Sequence, residues 1–294
     1  MQQRLQDVAL PLFIAAADSC PMEHDATYGF DLRDEHDGGS YRDSTSGRAG
    51  NKTIVTYVHP QLGAASAGLA LGDRVVEVNA KNVEEGSAGE VMGLVRRLTA
   101  AKIQPLQLVV ERGAQRHTVT MWSVPACQFS LGLVNSEGIN GVSNGRQVAV
   151  TTGAIRTFFW NDELAWIVAH EIAHNILSHV QNAKLRIMLN TFLNATIATP
   201  LRETQAPDPR SLEAQADYVG SYLMARAGYD LNAILRVWDR LRDIETEQNA
   251  LGHEMAQTHP TTTERLSAFE ETRKEIENLR QRGESLRLRL ESSP

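Results

Sequence analysis

His170 and His174 stand four residues apart with Glu171 between them, in the pentapeptide His170-Glu171-Ile172-Ala173-His174. On a helix that spacing puts both imidazoles on one face, where two ring nitrogens can bind one zinc ion. Glu171 is then placed to take a proton from a metal-activated water. Such a site needs a third protein ligand and an open fourth position. Glu213-Ala214-Gln215-Ala216-Asp217 offers two acids four apart on another predicted helix. Glu213 is the expected third ligand. Asp217, one turn on, is expected to accept the second ring N–H of a ligating histidine and fix its tautomer.

The elements that must position these groups can be read from the pattern around them. Asn161 or Asp162 predicts the cap of a helix running to about Leu185, with Asp162 and Glu163 in the first turn, where the helix dipole favours negative charge. Its apolar residues spread around several sides, as in a helix buried within a domain. Further helices are predicted over 185–197, 211–227 with Gly228 as its cap, 231–246 and 263–290. Asn144-Gly145 before the strand-like Gln147-Val148-Ala149-Val150-Thr151-Thr152 predicts a hairpin. Residues 1–20 predict a helix, and Pro21 to Lys52, rich in Asp, Gly and Ser, predicts mainly loop. From Thr53 to Val124 the period changes to short β-type runs at 53–58, 74–78, 106–110 and 117–121, with a helix at 88–101. That change of period marks a separate module.

The chain has 294 residues, enough for about two domains, and its 42% hydrophobic and 22% charged content is that of a globular protein. A net charge of -7 offers no basic surface to phosphate, so no nucleic-acid partner is expected. No run reaches the ~18 apolar residues of a membrane span. The apolar stretch from Val8 to Ala17 suits an amphipathic helix rather than a signal peptide, and membrane association is expected only through an N-terminal anchor outside the sequence. Cys20 and Cys127 allow either one disulfide or two buried thiols.

Val150-Thr151-Thr152-Gly153, His170-Glu171-Ile172-Ala173-His174-Asn175, Glu213-Ala214-Gln215-Ala216-Asp217, Ala225-Arg226-Ala227-Gly228-Tyr229-Asp230, and His259-Pro260 with Glu264-Arg265-Leu266 together resemble the gluzincin metallopeptidases of the CAAX prenyl protease, HtpX and BepA/LoiP type. The resemblance runs from about Gly141 to Leu266, with residues 1–20 as a first helix. It implies one zinc ion held by His170, His174 and Glu213, with Glu171 as general base and His259 steadying the oxyanion or a substrate carbonyl. His253 competes with His259 for that role, while His24, His36, His59, His117 and His179 have no partner spacing. It also implies hydrolysis of peptide bonds in protein substrates, misfolded envelope proteins among them, held as an extended strand beside residues near Asn140 to Val150. The location it implies is the bacterial periplasm or cell envelope.

Residues Gly63 to Asn79 resemble the core of a bacterial PDZ domain, in which a small-residue turn leads through Gly-Leu and Gly-Asp into a strand. Gly29, Phe30, Asp31 and Leu32, after Tyr28, are the candidate carboxylate-binding loop for a peptide ligand. The same module can serve instead as a rigid spacer. The expected fold is α+β: a mainly helical zincin-type peptidase domain with a small sheet, interrupted by a PDZ-like β-rich domain. The expected boundaries are 1–27 for the first peptidase helix, 28–122 for the PDZ-like domain and 123–294 for the catalytic domain. A protein of another class, a PDZ-centred peptide binder or chaperone with latent proteolysis, fits the same motifs and differs in holding zinc without hydrolysis. An exopeptidase would need a group for a chain terminus, and no motif supplies one.

Overall fold

The computed structural model describes residues 1–20, 26–35, 52–100, 104–177, 209–246 and 263–288. It is α+β and divides into two compact units, one of residues 1–19 with 129–294, the other of residues 20–128. Helix α1 (Gln2–Ala15) opens the first unit and buries Leu5, Val8, Ala9, Leu12 and Phe13, the stripe that its 3.6-residue spacing predicts.

The second unit is held at its ends. Cys20 and Cys127 form a disulfide with Cα atoms 5.5 Å apart, and β1 (Ala26–Thr27) pairs with β8 (Val124–Pro125). Between them β2 (Phe30–Asp34), β3 (Thr53–Val58), β4 (Arg74–Val78), β6 (Leu106–Arg112) and β7 (Gln115–Met121) form one antiparallel sheet in that order, with β5 (Lys81–Asn82) paired to β4. Alternate residues such as Val55, Tyr57, Leu106, Leu108 and Val110 are buried, as period-2 strands with one covered face require. Helix α2 (Gly63–Ser66) is a single turn, and α3 (Ala88–Ala100) packs along β2. Helix α3 starts at a capping box: the Ser87 N–H donates to Glu90 Oε2 at 2.8 Å, and the Ala88 N–H donates to Asp34 Oδ1 at 2.8 Å. Strand β2 lies within the stretch before Lys52 that was expected to be mainly loop, of which residues 21–25 and 36–51 fall outside the described residues. Its buried-intermediate alternation is supplied by Phe30, Leu32 and Asp34, and pairing to β3 outweighs the turn-forming composition around it.

In the first unit β9 (Ser130–Val134), β10 (Gly141–Ser143) and β11 (Gln147–Thr151) form a sheet in the order β10-β11-β9. Strand β11 is central, parallel to β9 and antiparallel to β10, so β10 is an edge. The Thr151 hydroxyl caps α4 (Thr152–Thr157) by accepting from the Ala154 N–H at 3.1 Å. Gly153 is required there, because a Cβ would lie 2.2 Å from the Glu137 carbonyl oxygen. Helix α5 (Asn161–Ile176) is buried on nearly every side and packs against α1, β10, α6 (Pro209–Ala227) and α7 (Asn232–Thr246). Helix α8 (Thr263–Gln281) packs on α6.

Three local expectations change. The cap of α5 is the backbone of Trp160, because Asn161 Oδ1 accepts from Arg4 Nε at 2.9 Å and Asp162 Oδ1 from the Asp230 N–H at 2.8 Å. The last helix ends at Gln281 rather than 290. Gly283, at φ 68°, closes it with its N–H on the Arg280 carbonyl and the Glu284 N–H on the Leu279 carbonyl, a Schellman end. Helix α5 ends at Ile176, with the Leu177 N–H on the Ala173 carbonyl, where the expectation ran to about Leu185, and the predicted helix at 185–197 lies outside the described residues. Among the described residues no helix is long and apolar enough to cross a membrane.

Candidate metal centre

Helices α5 and α6 meet closely because Gly220 of α6 has no side chain. A Cβ there would sit 3.1 Å from Trp166 Cζ3 and 3.3 Å from the His170 backbone nitrogen. This close approach brings the acids of α6 onto the histidines of α5. His170 Nε2 lies 3.1 Å from His174 Nε2 and 3.2 Å from Glu213 Oε2, and His174 Nε2 lies 3.3 Å from Glu213 Oε1. One ligand atom from each of His170, His174 and Glu213 falls within 4.8 Å of the other two, and all three residues are buried. Two imidazole nitrogens and a carboxylate converging at this range are a donor set that fits a divalent metal of borderline softness.

The far side of His170 is also engaged. Its Nδ1 lies 3.1 Å from Asp217 Oδ1, which leaves Nε2 turned toward His174 and Glu213. Asp217 in turn accepts from Arg265 of α8, Nε to Oδ2 at 2.6 Å and Nη2 to Oδ1 at 2.7 Å. Arg265 Nη1 lies 3.3 Å from Glu213 Oε2, and the guanidinium carbon sits 5.7 Å from the Trp238 ring centre. Burial disfavours the His170 cation, but the Asp217 and Glu213 carboxylates outweigh it and push this histidine up to about 10. Burial lowers His174, with the neighbouring His170 charge adding to that fall.

Glu171 is buried on the same helix, beside β10. Asn175, one residue past His174, ties the hairpin to α5: its Oδ1 accepts from the Gly145 N–H at 2.6 Å and its Nδ2 donates to the Gln147 carbonyl at 3.1 Å. His259 lies outside the described residues, as does His253. In the second unit Gly29 occupies a turn at φ 83°, its N–H donating to the Thr27 hydroxyl at 3.1 Å, while Phe30, Asp31 and Leu32 belong to edge strand β2 rather than to a loop. Sequence reasoning assigned no role to Arg265 or Asn175. Each stands beside a motif residue in the chain, but what it contacts is 48 or about 30 residues away.

A buried helix bearing two histidines and a glutamate, met by a carboxylate from a second helix, makes a candidate metal centre. The chain belongs to peptidase family M48, whose sequence model matches residues 106–273, more than half of its length. That family is one of metal-dependent peptidases, so a metal ion is implied. Relatives include the mitochondrial metalloendopeptidase OMA1 of Saccharomyces cerevisiae, 27% identical over 36% of this chain and 35% of the relative. The mitochondrial metalloendopeptidase OMA1 of Schizosaccharomyces pombe is 26% identical over 65% of this chain and 60% of the relative. The mitochondrial metalloendopeptidase OMA1 of Bos taurus is 29% identical over 44% and 29%. The chain thus spans between a quarter and three fifths of the curated relatives it matches. A PDZ domain of HtrA3 bound to a phage-derived ligand aligns with 34% of this chain and 85% of that chain, at 18% identity and a TM-score of 0.25, too low to carry an argument. The expected bacterial periplasmic or envelope location is overturned, because these relatives are all named as mitochondrial proteins.

Proposed function

We propose that this chain is a zinc metalloendopeptidase that hydrolyses peptide bonds in protein substrates. The carrying observation is the convergence of His170, His174 and Glu213 within 4.8 Å in a buried site whose His170 is backed by Asp217. His170, His174 and Glu213 would hold one zinc ion, and Asp217 would fix the His170 tautomer so that Nε2 faces the metal. When bound, the ion polarises the scissile carbonyl and lowers the pKa of water. Glu171 acts as the base: a carboxylate oxygen takes a proton from the attacking water and later gives it to the leaving amine nitrogen. His259 is proposed to steady the substrate carbonyl, on the resemblance of its His-Pro segment alone.

Substrate is proposed to lie extended along β10, whose edge borders α5. The unit of residues 20–128 is proposed as a PDZ-like domain inserted in the peptidase domain, taking a peptide alongside β2. Support comes from β2 being a sheet edge next to α3 and from the left-handed turn at Gly29 just before it.

Zinc content and casein cleavage of the purified chain test the proposal, beside Glu213→Ala and His174→Ala. One zinc per wild-type chain, with both zinc and cleavage lost in each variant, is expected. Stoichiometric zinc without hydrolysis would instead favour a peptide-binding protein with latent proteolysis.

A further inference from the structure

We infer that Arg265 is a positioning residue of the metal centre, holding Asp217, and through it the His170 ring, in the arrangement that receives the ion; this rests on the zinc reading above. Asp217 touches His170 through a single oxygen, and a lone carboxylate can turn about its last bond. The planar guanidinium removes that freedom. Its two parallel contacts, at 2.6 and 2.7 Å, fix the plane of the Asp217 carboxylate, with Oδ1 left 3.1 Å from His170 Nδ1.

The third guanidinium nitrogen, 3.3 Å from Glu213 Oε2, orients the carboxylate that stands one helical turn before Asp217. One side chain from α8 therefore contacts two acids of α6. The guanidinium is itself fixed from behind by Trp238, whose ring packs on Trp166 at 6.0 Å and on Phe269 at 5.5 Å; Trp166 packs on the His170 ring at 5.6 Å. Lysine has charge without a fork and cannot make the paired contact. Arg265 is buried and acts through Asp217 and Glu213, not on substrate.

The test measures zinc affinity of the full chain by chelator competition, and the absorption spectrum of the cobalt-loaded protein. The proteins are wild type, Arg265→Lys, Arg265→Met, Asp217→Asn and the double variant Arg265→Met with Asp217→Asn. Loss of an outer hydrogen-bond partner of a metal ligand costs about 10–100-fold in affinity. Each single variant is expected to weaken zinc by that order and to shift the cobalt spectrum. The double variant is expected to be no weaker than the worse of its two single variants, because both act on one contact.

Thermal unfolding of the metal-free proteins separates folding from binding. Arg265→Lys, which keeps the charge and most of the bulk, and the double variant, which strands no carboxylate at position 217, keep the test readable where Arg265→Met does not fold. Wild-type affinity and spectrum in Arg265→Lys, or losses that multiply fully in the double variant, would overturn the inference. A wild-type chain that binds no zinc would overturn the reading beneath it instead.

Discussion

Gly141 of the edge strand lies directly against Glu171 of the central helix: a Cβ built on Gly141 would sit 3.2 Å from Glu171 Cγ, 3.4 Å from its Oε1 and 2.8 Å from Ile167 Cγ2. The backbone of β10 thus forms one wall of the pocket that holds the proposed base. Gly141→Ala must push either Ile167 or the Glu171 side chain aside. Misplacing a catalytic group by about 1 Å costs on the order of 100-fold. A fall of about 10–100-fold in kcat for casein cleavage is expected, with zinc affinity within about twofold of wild type. A full-rate Gly141→Ala enzyme would show that the wall does not set the base.

The charge state of His170 gives a pH prediction. In the metal-free protein its folded value of about 10 stands above the ordinary 6.5, so its proton stabilises the fold. That contribution is fully present below about pH 6.5 and is lost as pH rises toward 10. Wild-type stability without metal, measured against His170→Gln by thermal unfolding, should therefore decline from pH 6.5 to 10. His174, lowered by burial, acts at the other end, costing stability as pH falls below 6.5. Zinc must displace the His170 proton, so apparent zinc affinity should rise with pH over the same window, by up to about tenfold per unit. A flat profile between pH 7 and 9 would contradict the charge state.

Asn175 spends both ends of its amide on the hairpin turn, at the Gly145 N–H and the Gln147 carbonyl. Asn175→Ala leaves these backbone groups without that partner, at a cost of about 1–3 kcal/mol. Faster amide exchange across residues 141–147 is expected by hydrogen exchange, together with a raised KM for protein substrates and little change in kcat. Asn175→Asp, which keeps the acceptor for Gly145, should fall between the two.

In the second unit Asn79 and Ala80 form the two-residue turn between β4 and β5, both at positive φ, 45° and 62°. This is the geometry of a type I′ turn, where the second position favours glycine. Ala80→Gly should relieve the left-handed alanine and raise stability by about 0.5–1 kcal/mol, read as a higher denaturant midpoint with unchanged slope.

The parts of this architecture that the chain discloses are the ones encoded by near neighbours. Histidines at i and i+4, acids at i and i+4, and the Asn144-Gly145 turn are all local, and each has a physical reason that spacing alone exposes; the capping box at Ser87 and Glu90 is as local but went unread. Gly228 belongs to the same class; Gly283 is equally local but was passed over, so the last helix was expected to run to 290 where it ends at Gln281. What stayed hidden depends on distant partners. Arg4 takes the Asn161 side chain from 157 residues away, so the cap of α5 moved to Trp160. Strand β9 carries a glycine at its centre, and its register comes from pairing with β11 rather than from its own pattern. Strand β2 was masked by its Asp- and Gly-rich surroundings. The contact of Arg265 with Asp217 crosses 48 residues and two helices. The bacterial location came only from the branch of the family the motifs resembled, and relatives named as mitochondrial overturned it.

The most direct test of the central claim is the exchange of the proposed base for its neutral isostere. Glu171→Gln keeps the volume and the buried position of the side chain but cannot accept the proton. Purified Glu171→Gln should fold, bind one zinc ion with about wild-type affinity, and cleave casein at a rate lower by at least about 100-fold. Cleavage at the wild-type rate by the zinc-loaded variant would contradict the assignment.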